Sequence, residues 1–175
     1  MRKKRYGIRW CNLSAGQGYF QSQFLLGKYF SEGCCGLQRS ASKAVFWLKK
    51  AALQDHAEAQ AYLAIELMKA KGEIYDEEYC NPVGYSIMPE VFFWIQRAVN
   101  KGSLAGQTKL KALETEVRMM CGCCSNLARE GVTVKLCAQC KAVGYCSRDC
   151  QVKHWKMGHK VDCTKPEELK KCFDD

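Results

Sequence analysis

The chain has 175 residues, 47% of them hydrophobic, which is enough for one or two folded domains. No run of about 18 apolar residues occurs, which excludes a membrane-spanning helix. The formal charge is +9, but four of the positive charges sit in Arg2–Arg5 and the rest is spread thinly, so the chain lacks the dense basic patch of a strong nucleic-acid binder.

The basic start, Met1 to Arg5, could open an export signal. The apolar run that should follow is missing, because Tyr6-Gly7-Ile8-Arg9-Trp10 is too short and too polar. A chain with thirteen cysteines and no such signal is expected inside the cell, cytoplasmic or nuclear, with cysteines that bind metal rather than form disulfides. The Arg2–Arg5 run reads as a solvated terminus, with nuclear import as its alternative. Four cysteines (Cys11, Cys34, Cys35, Cys80) precede residue 120 and nine follow it, so the chain divides there.

The first part repeats when aligned on Trp10, Trp47 and Trp94. Five residues on stand Ala15, Ala52 and Val99; eight on, Gly18, Asp55 and Gly102; thirteen on, Gln23, Gln60 and Gln107; sixteen on, Leu26, Leu63 and Leu110. The spacings are 37 and 47 residues, and the extra residues fall in Gly72–Pro89, which reads as a loop. Within each unit apolar residues recur at helical spacing: Phe24, Leu25 and Tyr29; Val45, Trp47, Leu48 and Ala51; Ala61, Tyr62, Ile65 and Met68; Val91, Trp94, Ile95 and Ala98. Periods of this size belong to helical hairpins that stack because none can bury its apolar face alone. The repeated Trp, Leu and Ala are expected in the core.

Segments such as Ser22–Gly33 and Ser40–Ala64 resemble Sel-one-like repeats, relatives of the tetratricopeptide repeat, over residues 7–112. Leu26-Gly27, Gly33, Lys43-Ala44, Trp47 and Lys50-Ala51-Ala52 carry the likeness, while Ala64 departs from it where the family favours glycine. The first unit supplies only a second helix, so it is a terminal cap or, by preference, the chain is the tail of a longer protein. The last hairpin keeps its first helix, about Leu104–Met120.

The second part reads Cys121-x2-Cys124, then Cys137-x2-Cys140, Cys146-x3-Cys150 and His159-x3-Cys163. Zinc prefers four tetrahedral thiolate or imidazole ligands, so eight ligands in four close pairs suit two zinc ions. Cys123 competes with Cys121 and Cys124, although the two-residue gap favours that pair. His154 competes with His159, whose distance to Cys163 matches zinc-ligand spacing. The other cysteines have no partner spacing.

Residues Leu136–Cys163 also resemble the MYND zinc finger. The resemblance implies interleaved pairs: Cys121, Cys124, Cys146 and Cys150 on one zinc, Cys137, Cys140, His159 and Cys163 on the other. Seven bound thiolates and two zinc ions would lower the net charge to about +6. Both sites would be closed, so the metal would be structural. The resemblance further implies binding of short proline-containing peptides. Gln151 and Trp155 stand where the family shapes its groove, near Tyr145 at the end of a short strand, Ala142–Tyr145, beside which a peptide could add. Trp155 can equally be core of a small helix, Gln151–Met157.

The expected fold is mainly α: a solenoid of stacked helical hairpins at 7–120, a cross-braced zinc module at 121–163, and a charged, frayed tail at 164–175. The expected function is a non-catalytic protein-interaction adaptor with protein partners and no membrane. The alternative is a nucleic-acid-associated regulator using the basic N-terminus and finger; against it, the finger's charge falls to about zero once metal is bound. Enzyme activity is not expected. His56 reads as a surface residue in a turn, and Gly102–Lys109 lacks the Gly-Lys-Ser/Thr core of a phosphate loop.

Overall fold

The computed structural model describes residues 2–69, 87–125, 133–164 and 168–171. Its first part runs as helices α1 (Arg2–Gly16), α2 (Phe20–Glu32), α3 (Ala41–Leu53), α4 (Ala57–Lys69), α5 (Met88–Asn100) and α6 (Leu104–Met119), with α2 on α3 and α4 on α5 the most extensive pairings. Each helix packs on the next in chain order.

The turns after α1, α3 and α5 are made in the same way. Gly18, Asp55 and Gly102 take left-handed φ angles of 97°, 63° and 86°. Glycine has no steric objection to that conformation, and aspartate tolerates it better than most residues. The next residue caps the following helix in two of the three turns. Ser103 Oγ accepts the Gly106 N–H at 3.1 Å, and His56 Nδ1 accepts the Ala59 N–H at 3.0 Å. The equivalent Tyr19 makes no side-chain cap. Gln23 and Gln60, equivalent in the tryptophan alignment, each donate to the carbonyl of an equivalent alanine, Ala15 and Ala52, at 3.1 Å.

Successive turns are also tied together. Gln54 Nε2 donates to the Gly18 carbonyl at 3.0 Å, and Lys101, at the same place in the next unit, reaches Asp55 Oδ2 at 3.2 Å. Arg97 Nη2 adds a 2.8 Å bond to Asp55 Oδ1. Arg97 first, against some burial, and then Lys101 hold the Asp55 carboxyl below its ordinary range.

Leu48, Leu63, Trp94, Ile95 and Leu113 are fully buried in the helical core. Each such side chain contributes about 1.5–3 kcal/mol by burial. Helices α2 and α3 approach closely at Gly27, where a Cβ would meet Leu48 Cγ at 2.7 Å. The three tryptophans do not share one environment. Trp94 is fully buried and donates to Glu90 Oε1 at 3.2 Å, Trp47 is half-buried, and Trp10 is 70% exposed. The expected core role therefore fails for Trp10. Among the described residues its helix packs chiefly against α2, and the face carrying Trp10 and Leu13 is exposed.

Other expectations change too. Met88 and Pro89 lie in the first turn of α5 rather than in a loop, where proline needs no amide partner. Residues 72–86 of the expected loop are outside the described residues. His56 is half-buried rather than a surface residue, packed on the rings of Phe20 and Phe24 with centroids at 5.2 and 4.9 Å. Residues 168–171 of the tail are helical, and Leu169 packs on the helical core.

After α6 the chain forms a two-stranded antiparallel ladder, β1 (Lys135–Leu136) and β2 (Gly144–Tyr145), with Lys135 opposite Tyr145 and Leu136 opposite Gly144. Helix α7 (Arg148–His154) follows, capped by Ser147 Oγ on the Cys150 N–H at 3.1 Å. The small helix thus starts before Gln151. It passes at Trp155 into a π-helical turn, Trp155–His159, in which Gly158 breaks the helix at φ 141°. A short α8 (Lys160–Asp162) ends just before Cys163. The ladder abuts α6: a Cβ on Gly144 would collide with the Val117 carbonyl and the Val134 side chain. Met88 and Phe92 of α5 pack against both the helical core and the cysteine cluster.

Candidate metal centre

Small elements deliver the cysteines in pairs. Cys121 and Cys124 lie in the turn after α6; Cys137 and Cys140 lie in the turn after β1. Cys146 and Cys150 flank the start of α7, while His159 and Cys163 flank α8. The structure gathers them into two sets, Cys121, Cys124, Cys146 and Cys150, and Cys137, Cys140, His159 and Cys163. Within each set the donor atoms lie within 4.8 Å of one another.

The geometry suits zinc. Zn–S bonds of about 2.3 Å in a tetrahedron place two sulfurs about 3.8 Å apart. The Sγ atoms of Cys124 and Cys146 are 3.7 Å apart, those of Cys146 and Cys150 3.6 Å, and those of Cys137 and Cys163 3.6 Å. Cys140 Sγ lies 3.8 Å from His159 Nε2. All four donors of the second set are buried, whereas Cys124 of the first is exposed.

The charge balance also calls for a cation. Cys150, Cys121 and Cys124 together press the Cys146 thiol up to about 12, because thiolates so close cannot all ionise unless a cation shares the charge. Burial opposes ionisation of Cys121, but the amides of Cys124, Cys146 and Cys123 aim at its sulfur and bring it down to about 6. Cys123 therefore supplies a main-chain donor while its thiol stays outside the donor set. The two sets can hold two zinc ions, and each fills four positions with protein.

His154 is placed apart from the donors. Its ring stacks on His159 at 5.0 Å between centroids, and its Nδ1 lies 3.0 Å from the Tyr145 hydroxyl. Burial, then the nearby thiols of Cys137, Cys140 and Cys163, push the Tyr145 phenol above its ordinary range, so it stays protonated. This His154–Tyr145 pair was missed in the sequence, where the two residues are nine apart and in different elements.

Tyr145 is buried, and it forms the floor of a cleft of about 680 Å³ with Thr133, Lys135, Ser147, Arg148 and Gln151. Trp155 does not line this cleft; it is half-buried, edge-on to His159 with centroids 5.9 Å apart. The expected strand at Ala142–Tyr145 is shorter, and its edges are occupied. Cys137 N–H donates to the Val143 carbonyl at 2.8 Å on one side, and Gly122 N–H to the Gly144 carbonyl at 2.9 Å on the other. By antiparallel alternation, Leu136 of β1, opposite Gly144, directs its main-chain groups away from β2.

Residues 120–163 match the MYND finger family, and this part of the chain is a MYND finger. The chain is 51% identical over 35 residues to ubiquitin carboxyl-terminal hydrolase 17 of Arabidopsis thaliana, a stretch covering 20% of this chain and 5% of that protein. It is 59% identical over 34 residues to a SET and MYND domain-containing protein of Dictyostelium discoideum, 19% of this chain and 6% of that one. The ubiquitin hydrolases match only through the finger. An F-box protein of Arabidopsis thaliana is 26% identical over 164 residues, 91% of this chain and 45% of that protein. The chain thus spans less than half the length of each of these relatives.

Proposed function

We propose that this chain is a non-catalytic adaptor whose MYND finger takes short proline-containing peptides and whose helices, read as Sel-one-like repeats stacked into a solenoid, take a second protein partner. The observation that carries this reading is the pair of closed donor sets. Zinc held by four protein donors has no position for a reactive water, so its work is structural and function moves to the surface around it. A MYND finger is a protein-interaction domain.

The cleft on the finger suits an extended peptide, with Lys135 and Gln151 on its walls. Among the described residues the main-chain groups of Leu136 turn away from β2, which supports strand addition next to Lys135. Trp155 reaches this surface only indirectly, through His159, which is edge-on to both Trp155 and Tyr145. The recurrent turns at Gly18, Asp55 and Gly102 and the paired glutamine bonds support the repeat reading. The Arabidopsis F-box protein, alike across most of this chain, supports reading helices and finger as one unit.

Titration of the zinc-loaded chain with a fluorescent Pro-x-Leu-x-Pro peptide tests this. Gln151→Ala should weaken binding by about tenfold, the loss expected on removing one anchoring polar contact. Unchanged affinity in both Gln151→Ala and Trp155→Ala would place the peptide elsewhere.

A further inference from the structure

A second cleft, of about 580 Å³, lies on another face, between α5 and the second donor set. Its floor is apolar, formed by Pro89, Phe92 and Phe93. Lys101, Lys141 and Lys170 stand around it together with Arg97, and among the described residues Asp55 is the one carboxylate that lines it. Arg97 and Lys101 already hold that carboxylate. Lys141 and Lys170 are exposed and form no ion pair among the described residues. Three separate parts of the chain therefore converge here: a helix of the first part, the turn of a zinc ligand and the helical turn at 168–171.

We propose that this cleft is a second peptide site, one that takes an acidic segment carrying an apolar side chain. The apolar group would rest on Pro89 and Phe92, and the carboxylate would lie between Lys141 and Lys170. Gln96 and Asn100, one helical turn apart on α5 and exposed in the cleft, offer amide donors and acceptors to a peptide main chain. One feature favours a peptide over a nucleic acid. Phe93 is buried and edge-on to Trp94, so it presents no open ring face for a base. The site does not depend on the proline-peptide reading, because it uses none of the residues around Gln151.

Panning the zinc-loaded full chain against a phage-displayed random peptide library, followed by anisotropy titration of the enriched peptides, tests the proposal. Peptides with Asp or Glu beside Leu, Ile or Phe should be enriched. Their affinity should fall about tenfold or more in Lys141→Glu and in Lys170→Glu, as an attractive charge contact turns repulsive, and hold in the control Lys111→Glu on α6. Lys170→Glu alters an exposed residue and guards against a folding defect beside Cys140; zinc content verifies both variants. Enriched peptides without acidic residues, affinity indifferent to charge reversal, or oligothymidine that binds with the same sensitivity to Lys170→Glu would each overturn the assignment.

Discussion

The helical part and the finger reach stability by opposite routes. Among the helices the interior interlocks large side chains, with Leu48, Leu63, Trp94 and Leu113 fully buried, and alanines such as Ala51, Ala52, Ala59 and Ala64. The finger's buried cluster consists of cysteines with Ala142 and Tyr145. The first distributes stability over many contacts. The second concentrates it in eight donors, since a module this small has too little apolar surface to fold alone.

Metal removal separates the two most sharply. A strong chelator should take the zinc-to-protein ratio from two to zero and unfold 133–164, removing on the order of 10–16 kcal/mol per site, while most helical far-ultraviolet signal remains. Loss of the whole helical signal at once would show that the two parts are a single cooperative unit. His159→Ala should leave one zinc per chain; a ratio still at two would remove His159 as a ligand.

The tryptophans divide the helical part itself. Trp94→Ala should cost about 3–5 kcal/mol in denaturant unfolding, as large buried aromatics do. Trp10→Ala, at the equivalent but exposed position, should cost less than about 0.5 kcal/mol. Equal losses would mean that the Trp10 face is covered in solution.

Gly144→Val tests the seam between the parts. The added side chain has to displace the Val117 carbonyl or Val134, at about 1–3 kcal/mol. Hydrogen exchange should rise at the C-terminal end of α6 while zinc content stays at two. Unaltered exchange there would mean that ladder and helix are not coupled.

The smallest effect comes from His56. Burial lowers its pKa below the ordinary 6.5, so the folded chain binds fewer protons than the unfolded one. Its cap on α4 contributes on the order of 1 kcal/mol at high pH, and this fades as pH falls below 6.5. His56→Asn keeps a cap without the titration, so its melting temperature should fall less than the parent's between neutral and mildly acid pH. Parallel curves would remove His56 as the titrating group.

Much of this was legible because it depends on spacing along the chain. Ligand pairs separated by two or three residues must form local turns, and the eight residues named from them fall into two sets. The positions of Gly18, Asp55 and Gly102 were visible as a recurrence, although only main-chain angles reveal why aspartate can stand among glycines. Burial was not legible in the same way. Trp10 and Trp94 occupy equivalent places in the pattern, and only the neighbours of α1 and α5 distinguish them. The role of His56 was hidden too, because serine at the equivalent position 103 signals a cap and histidine does not. The cleft of Lys141 and Lys170 joins residues far apart in sequence, and no local pattern announces such a meeting.

The interleaving of the ligand pairs has a consequence for how metal enters. The chain from Cys124 to Cys146, closed by the first set, contains Cys137 and Cys140, the opening half of the second. Whichever ion arrives first therefore shortens the loop the other must close, and loop-closure entropy falls with loop length. The two uptakes are then coupled by topology: in a titration the second ion should bind slightly more readily than the first, by about a few tenths of a kcal/mol.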